Sequence, residues 1–152
     1  MSVEQRIEGL GLTVPDPPAP VASYVPAVHV ENMVYTSGQI PFVRGELKYK
    51  GKIGGELTRE DGYEAAKICT LNCLSVIKGE IGSLDRIERV VRLTGYISSA
   101  PGFNYQHEVM NGASDLIGSV FMEKGKHSRV AVGVPELPVD AAVEVEMIVQ
   151  IK

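Results

Sequence analysis

Ser128-Arg129-Val130-Ala131-Val132-Gly133-Val134-Pro135-Glu136-Leu137-Pro138, followed by Val143-Glu144-Val145-Glu146, carries the strongest structural signal in the chain. At the two-residue period of a strand, Val130, Val132 and Val134 share one side, and Arg129, Ala131 and Gly133 share the other. The second run repeats the pattern. Val143, Val145, Met147, Val149 and Ile151 form an apolar row, with Glu144, Glu146, Ile148 and Gln150 opposite. An arginine at the mouth of a small-residue groove, near strand-borne carboxylates, suits a small anion. Its guanidinium fork grips a carboxylate in a bidentate way that lysine cannot.

Outward from these strands, the chain reads as one domain of 152 residues. That length buries roughly 70% of the surface exposed by the unfolded chain, so folding requires neither disulfide nor metal. A hydrophobic content of 44% with 22% charge is ordinary globular usage. A net charge of −4 without a Lys/Arg-rich block argues against a non-specific nucleic-acid surface. No apolar run has the length of a membrane span, and no signal-peptide pattern opens the sequence. Cys69 and Cys73 share a helix face without His or further Cys nearby, which predicts core thiols in a reducing, cytoplasmic setting rather than a metal site.

Residues 1–20 read as an N-terminal arm and Pro-rich linker. Val3, Ile7 and Leu10 line one side of a short helix, and Pro15-Asp-Pro-Pro-Ala-Pro20 imposes an extended connection. The domain is expected over 21–152. Tyr24–Val30 and Met33–Ser37 are strand-like, joined by a turn at Glu31-Asn32 in which Asn tolerates a positive φ. Residues 42–57 suggest a loop or irregular hairpin. Thr58 caps a helix bearing Ala65, Ile68, Cys69, Asn72 and Val76 at helical spacing, and Gly82-Ser-Leu-Asp85 stops it. Ile87, Val91, Leu93 and Ile97 mark a third strong strand, with Glu88, Arg92 and Thr94 opposite. Phe103, Met110, Ala113, Leu116 and Val120 recur as a second helix.

The order β-β-(β)-α-β-α-β-β predicts an α+β two-layer sandwich, a mixed sheet with two helices on one face. The other face is expected to carry Arg92, Arg129, Glu144 and Glu146 among small residues. A semi-apolar face of that breadth calls for cover by other subunits, with function between them.

The chain resembles the Rid family of reactive-intermediate deaminases, also called the YjgF or liver perchloric-acid-soluble protein family. The matching features fall in order over residues 21–152: Tyr24-Val25, the run Asn32-Met-Val-Tyr-Thr-Ser-Gly-Gln-Ile-Pro41, Asn72, Arg129 with Pro138, and Val143-Glu-Val-Glu-Met147. The resemblance implies a chorismate-mutase-like fold and a homotrimer with three clefts at its subunit interfaces. It implies hydrolytic deamination of 2-enamino or 2-imino acids to 2-keto acids and ammonia. In that reading Arg129 binds the substrate carboxylate, Glu146 lies near the attacking water, Tyr24 shapes the cleft and Ser37 lies near the substrate. No metal or organic cofactor is required, because imines hydrolyse readily once oriented beside a water.

Departures from the family pattern are His107 where deaminating members commonly carry Asn, Ala131 where many carry Cys, Ala65 for a frequent Gln, and a longer 42–57 loop. They bear on the substrate more than on the fold. Each candidate also has a plainer reading. Arg129 could pair with Glu144 or Glu146 across strands, and Glu146 with Arg92 or Arg129. Tyr24 could pack at an interface, and Ser37 could bond its own turn. Gly38 fits a close approach to ligand or a special backbone conformation. His29 is expected at solvent or an interface, and His107 at a polar helix position or the cleft mouth. His127 shares the parity of Arg129 and could serve as a second anion contact or proton carrier. Two further functions compete with deamination. One is a binding module for small carboxylate metabolites. The other is an endoribonuclease or translation inhibitor, which the absence of a basic track disfavours.

Overall fold

The computed structural model describes residues 1–17 and 23–152. Its centre is a five-stranded sheet in the order β1-β2-β7-β5-β6, formed by β1 Ala27–Val30, β2 Met33–Thr36, β5 Ile87–Ser98, β6 Ser128–Val134 and β7 Val143–Ile151. All neighbours are antiparallel except β5 and β6, so the sheet is mixed. A parallel pair needs a long crossover, and residues 99–127 supply it with helices α3 Gln106–Val109 and α4 Asn111–Phe121. Helix α2, Arg59–Ile81, packs against β7 and α4 in the same layer. The expected α+β sandwich is therefore present.

The second row read from the sequence builds the core. Val143, Val145, Met147, Val149 and Ile151 are all buried against the helices. Two glycines let the layers close. A Cβ on Gly95 in β5 would stand 2.1 Å from the Met110 sulfur, and one on Gly112 would stand 2.0 Å from the Tyr63 carbonyl oxygen of α2. Cys69 and Cys73 are buried, and their thiols donate to the Val143 and Val145 carbonyls of β7. Burial pushes the Cys73 thiol up to about 12 and raises Cys69 well above its ordinary value. Thr58 caps α2 in a reciprocal box with Asp61, and Gly82 ends it at φ 85°, as the sequence indicates.

Several local expectations change. Residues 1–20 are not an arm apart from the domain, at least as far as Pro17. Helix α1, Val3–Gly9, is capped by Ser2 and buries Ile7 completely in the common core. The Val3 amide donates to Asp85 at 2.8 Å, and Lys78 pairs with Glu4 at 2.9 Å. Leu10, read on the same side as Val3 and Ile7, is half exposed while those two are buried. The end of the Pro-rich linker and the boundary placed between residues 20 and 21 lie outside the described residues.

Strand β1 begins at Ala27 rather than Tyr24, after Pro26. Its turn takes the left-handed conformation at Glu31, φ 53°, not at Asn32. The 42–57 segment contains a small hairpin, β3 Phe42–Val43 with β4 Glu46–Leu47, turned at Arg44-Gly45 with positive φ at both. In β5 the pairing register slips twice before Leu93, so Val90 and not Val91 reaches the core. The second helix is shorter than its periodicity suggests, because Phe103 lies in the turn before α3.

Candidate functional site

Strand parity separates the expected site residues into two groups. Thr94 lies opposite both Val130 and Glu146, and Tyr96 opposite both Val132 and Glu144, so these six share one sheet face. Leu93 lies opposite Arg129 and the buried Met147, which puts Arg129 on the helix-covered face. The expected grouping of Arg129 with Arg92, Glu144 and Glu146 is thus overturned. The alternation was right, but β6 turns its valines outward: Val130 and Val132 are 36% and 40% exposed. Arg129 points instead toward the polar start of α4.

There its guanidinium is held by three neutral oxygens. Nη1 donates to Asn111 Oδ1 at 3.0 Å and Ser114 Oγ at 3.1 Å, and Nη2 donates to the His107 carbonyl at 3.1 Å. Asn111 and Ser114, three apart on one helix, face the strand together. Among the described residues no carboxylate lies within ion-pair distance of Arg129, so neither proposed pairing with Glu144 or Glu146 forms. His107 contributes its backbone oxygen. Its ring lies 6.1 Å from that of Tyr105, over which the Arg59 guanidinium stacks at 4.3 Å. His127 stands behind Ser114, with Nε2 2.9 Å from Ser114 Oγ and Nδ1 2.6 Å from the Gly125 carbonyl.

The second group gathers on the uncovered face. Tyr35 lies opposite Ile148, but Gln39 lies opposite Val145, so β2 gains a residue and bulges at Ser37-Gly38. Ser37 uses its hydroxyl on the Val25 carbonyl at 2.7 Å, which fastens the exposed Tyr24-Val25 segment beside it. Gly38 makes room for a carboxylate: a Cβ there would stand 2.2 Å from Glu144 Oε2. Glu146 accepts the Tyr96 hydroxyl at 3.0 Å. Burial and then the neighbouring Glu146 raise the Glu144 pKa. Burial and then the Glu146 hydrogen bond raise that of Tyr96. Asn72 anchors the segment after the bulge by donating to the Ile40 and Phe42 carbonyls, both at 3.0 Å.

Sequence reasoning missed Asn111, Ser114 and Tyr96. Tyr96 has the parity of Arg92 and Thr94 and was recoverable from the alternation. Among the described residues no group of three or more His, Cys, Asp and Glu is placed to hold a metal ion. None of their helices is long and apolar enough to cross a membrane.

Residues 4–151 match the family model described as "YjgF/chorismate_mutase-like, putative endoribonuclease". Protein TCP17 of Trypanosoma cruzi is 41% identical over 150 residues, covering 98% of this chain and 94% of its own. A RutC family protein of Aquifex aeolicus is 32% identical over 137 residues, covering 90% and 95%. The crystal structure of Atu1372 from Agrobacterium tumefaciens, a protein of unknown function, superposes with a TM-score of 0.93 at 40% identity, covering 99% of this chain and 92% of that one. With the model match spanning nearly the whole chain, this protein belongs to the YjgF/Rid family.

Proposed function

We propose that the protein hydrolyses reactive 2-imino or 2-enamino acids to 2-keto acids and ammonia, in clefts between the subunits of a homotrimer. One observation carries this reading: Arg129 is a cation oriented by neutral oxygens, and among the described residues no carboxylate pairs with it. A guanidinium held in that way keeps its charge for an incoming anion, and a bidentate carboxylate fits it best. Arg129 and Glu146 occupy opposite faces of the sheet, so a site using both draws them from different chains. The exposed Val28, Val30, Tyr35, Val130 and Val132 favour such association.

In the proposed reaction Arg129 fixes the substrate carboxylate and Glu146 takes a proton from a water. The water oxygen bonds to the imine carbon as the C=N pair moves to nitrogen. Nitrogen takes that proton from Glu146 to give a carbinolamine. The carbinolamine hydroxyl then passes its own proton through Glu146 to nitrogen, and its oxygen closes the keto C=O as the C–N bond breaks and ammonia leaves. Tyr24, Ser37 and Gly38 belong to the wall on the Glu146 side. His107 lies beside Arg129, where a ligand's side chain would pass. The test is keto-acid release from imino acids generated by an amino-acid oxidase. Wild type should accelerate it and Arg129→Ala should not; equal rates for the two proteins would refute the assignment.

A non-catalytic carboxylate-binding module is the second reading, favoured by His107, which stands beside Arg129 where deaminating members of the family commonly carry Asn. It predicts carboxylate binding without turnover. The ribonuclease named in the family description has less support, since the net charge is −4 and no basic block appears in the sequence.

A further inference from the structure

Arg129 is tied to His127 through a shared serine. The Gly125 carbonyl can only accept, so the 2.6 Å contact places a proton on His127 Nδ1. In the neutral ring Nε2 is then an acceptor, and the Ser114 hydroxyl donates to it across 2.9 Å. With its proton committed, Ser114 Oγ turns a lone pair to Arg129 Nη1 at 3.1 Å. The chain of bonds runs one way, from the guanidinium through the hydroxyl and imidazole to a backbone oxygen. Protonation of His127 reverses the middle link. Nε2 becomes a donor, both lone pairs of the hydroxyl then face cations that repel one another, and the hydroxyl proton loses its acceptor.

From this geometry we infer that His127 is a positioning residue for Arg129: neutral, it holds the guanidinium through Ser114 in its anion-binding orientation, and protonated, it releases that hold. The inference rests on Arg129 being the carboxylate hook. His127 and Ser114 border an open groove of about 550 Å³ that also includes Glu123 and Lys126, so the ring can exchange protons with solvent. The neighbouring charged groups have partners of their own. Glu123 and Lys126 pair with each other at 2.9 Å, Arg89 of β5 donates to the Lys126 carbonyl, and Asp115 of α4 accepts the Tyr63 hydroxyl. Arg129 is the charge that faces His127 through Ser114.

The experiment is titration of the intact protein with 2-ketobutyrate, a stable carboxylate of the product class, at about pH 8 and about pH 5.5, which bracket imidazole ionisation. Wild type should weaken roughly 3- to 10-fold on acidification, the effect of one hydrogen bond. His127→Gln, which keeps an acceptor without titrating, should bind at both pH values as wild type binds at about pH 8. Ser114→Ala should bind weakly and without this pH dependence, and Ser114→Thr should restore the wild-type profile, so a fold defect in one variant does not decide the matter. A His127→Gln profile matching wild type, or wild-type binding that tightens on acidification, overturns the inference. If Arg129→Ala binds as well as wild type, or wild type binds at neither pH, the hook itself is wrong. Loss of binding in Arg129→Ala with an unaltered profile in His127→Gln removes only the role of His127.

Discussion

Glu144 carries a half-buried carboxyl whose neutral form the fold favours, first through burial and then through Glu146. The folded state therefore binds that proton more tightly than the unfolded chain does. Its contribution to stability is complete below the unfolded carboxyl's pKa and is lost as pH rises through the higher folded value. Glu144→Gln removes this loss. Melting temperatures of the variant and wild type should coincide near about pH 4 and separate as pH climbs to about 7, with the variant higher. A constant gap across the range would show that Glu144 is not the group responsible. Gly38→Ala addresses the same carboxyl sterically. Its new methyl would stand 2.2 Å from Glu144 Oε2, the movable end of a side chain. Stability should change by less than about 1 kcal/mol, while imine turnover falls because the displaced Glu144 carboxyl disturbs its charged neighbour Glu146. Turnover equal to wild type would leave Gly38 without a role in the site. At this scale the sequence was legible in kind but not in placement. Arg129, Glu146, Ser37 and Gly38 stand out by residue type and spacing, yet alternation reports only which residues share a face. It cannot say which face the helices cover, and β6 turns its arginine rather than its valines to that side.

Among the elements, α1 departs most from its sequence reading. Seven residues ending on Gly9, with Gly11 just beyond and prolines from Pro15 onward, have too little intrinsic helicity to announce a structural role. What secures the helix is tertiary: Ile7 is fully buried, and Asp85 and Lys78 reach it from elsewhere in the chain. Ile7→Ala should therefore cost about 2–5 kcal/mol in denaturant unfolding. A loss below about 0.5 kcal/mol is what an appendage would show, and it would restore the original reading. Helix α2 is the opposite case, since its cap, stop and apolar spacing are all local and the sequence displays them. Strand β5 falls between. Its existence was plain, but two slips in register move Val90 inward in place of Val91, and a bulge leaves no mark in a simple two-residue period.

For the whole molecule, the sheet poses the question that one chain does not answer. Arg129 projects among the helices at one edge strand, while Glu144, Glu146 and Tyr96 lie on the uncovered face. A site assembled from both must join the edge of one chain to the face of another, as cyclic association does when the same two patches meet at every interface. That arrangement makes a prediction no single-chain site can share. Arg129→Ala and Glu146→Gln should each be inactive alone, because every cleft lacks one member. Refolding the two together in equal amounts lets an intact Arg129 from one variant meet an intact Glu146 from the other. Random assortment gives both residues to about a quarter of the clefts, so turnover should recover to about a quarter of wild type. Mixing the folded variants without subunit exchange should recover nothing, which separates shared clefts from contamination. If co-refolded protein stays inactive while each variant still associates, Arg129 and Glu146 do not act in one cleft, and the carboxylate-binding module becomes the better account of this fold.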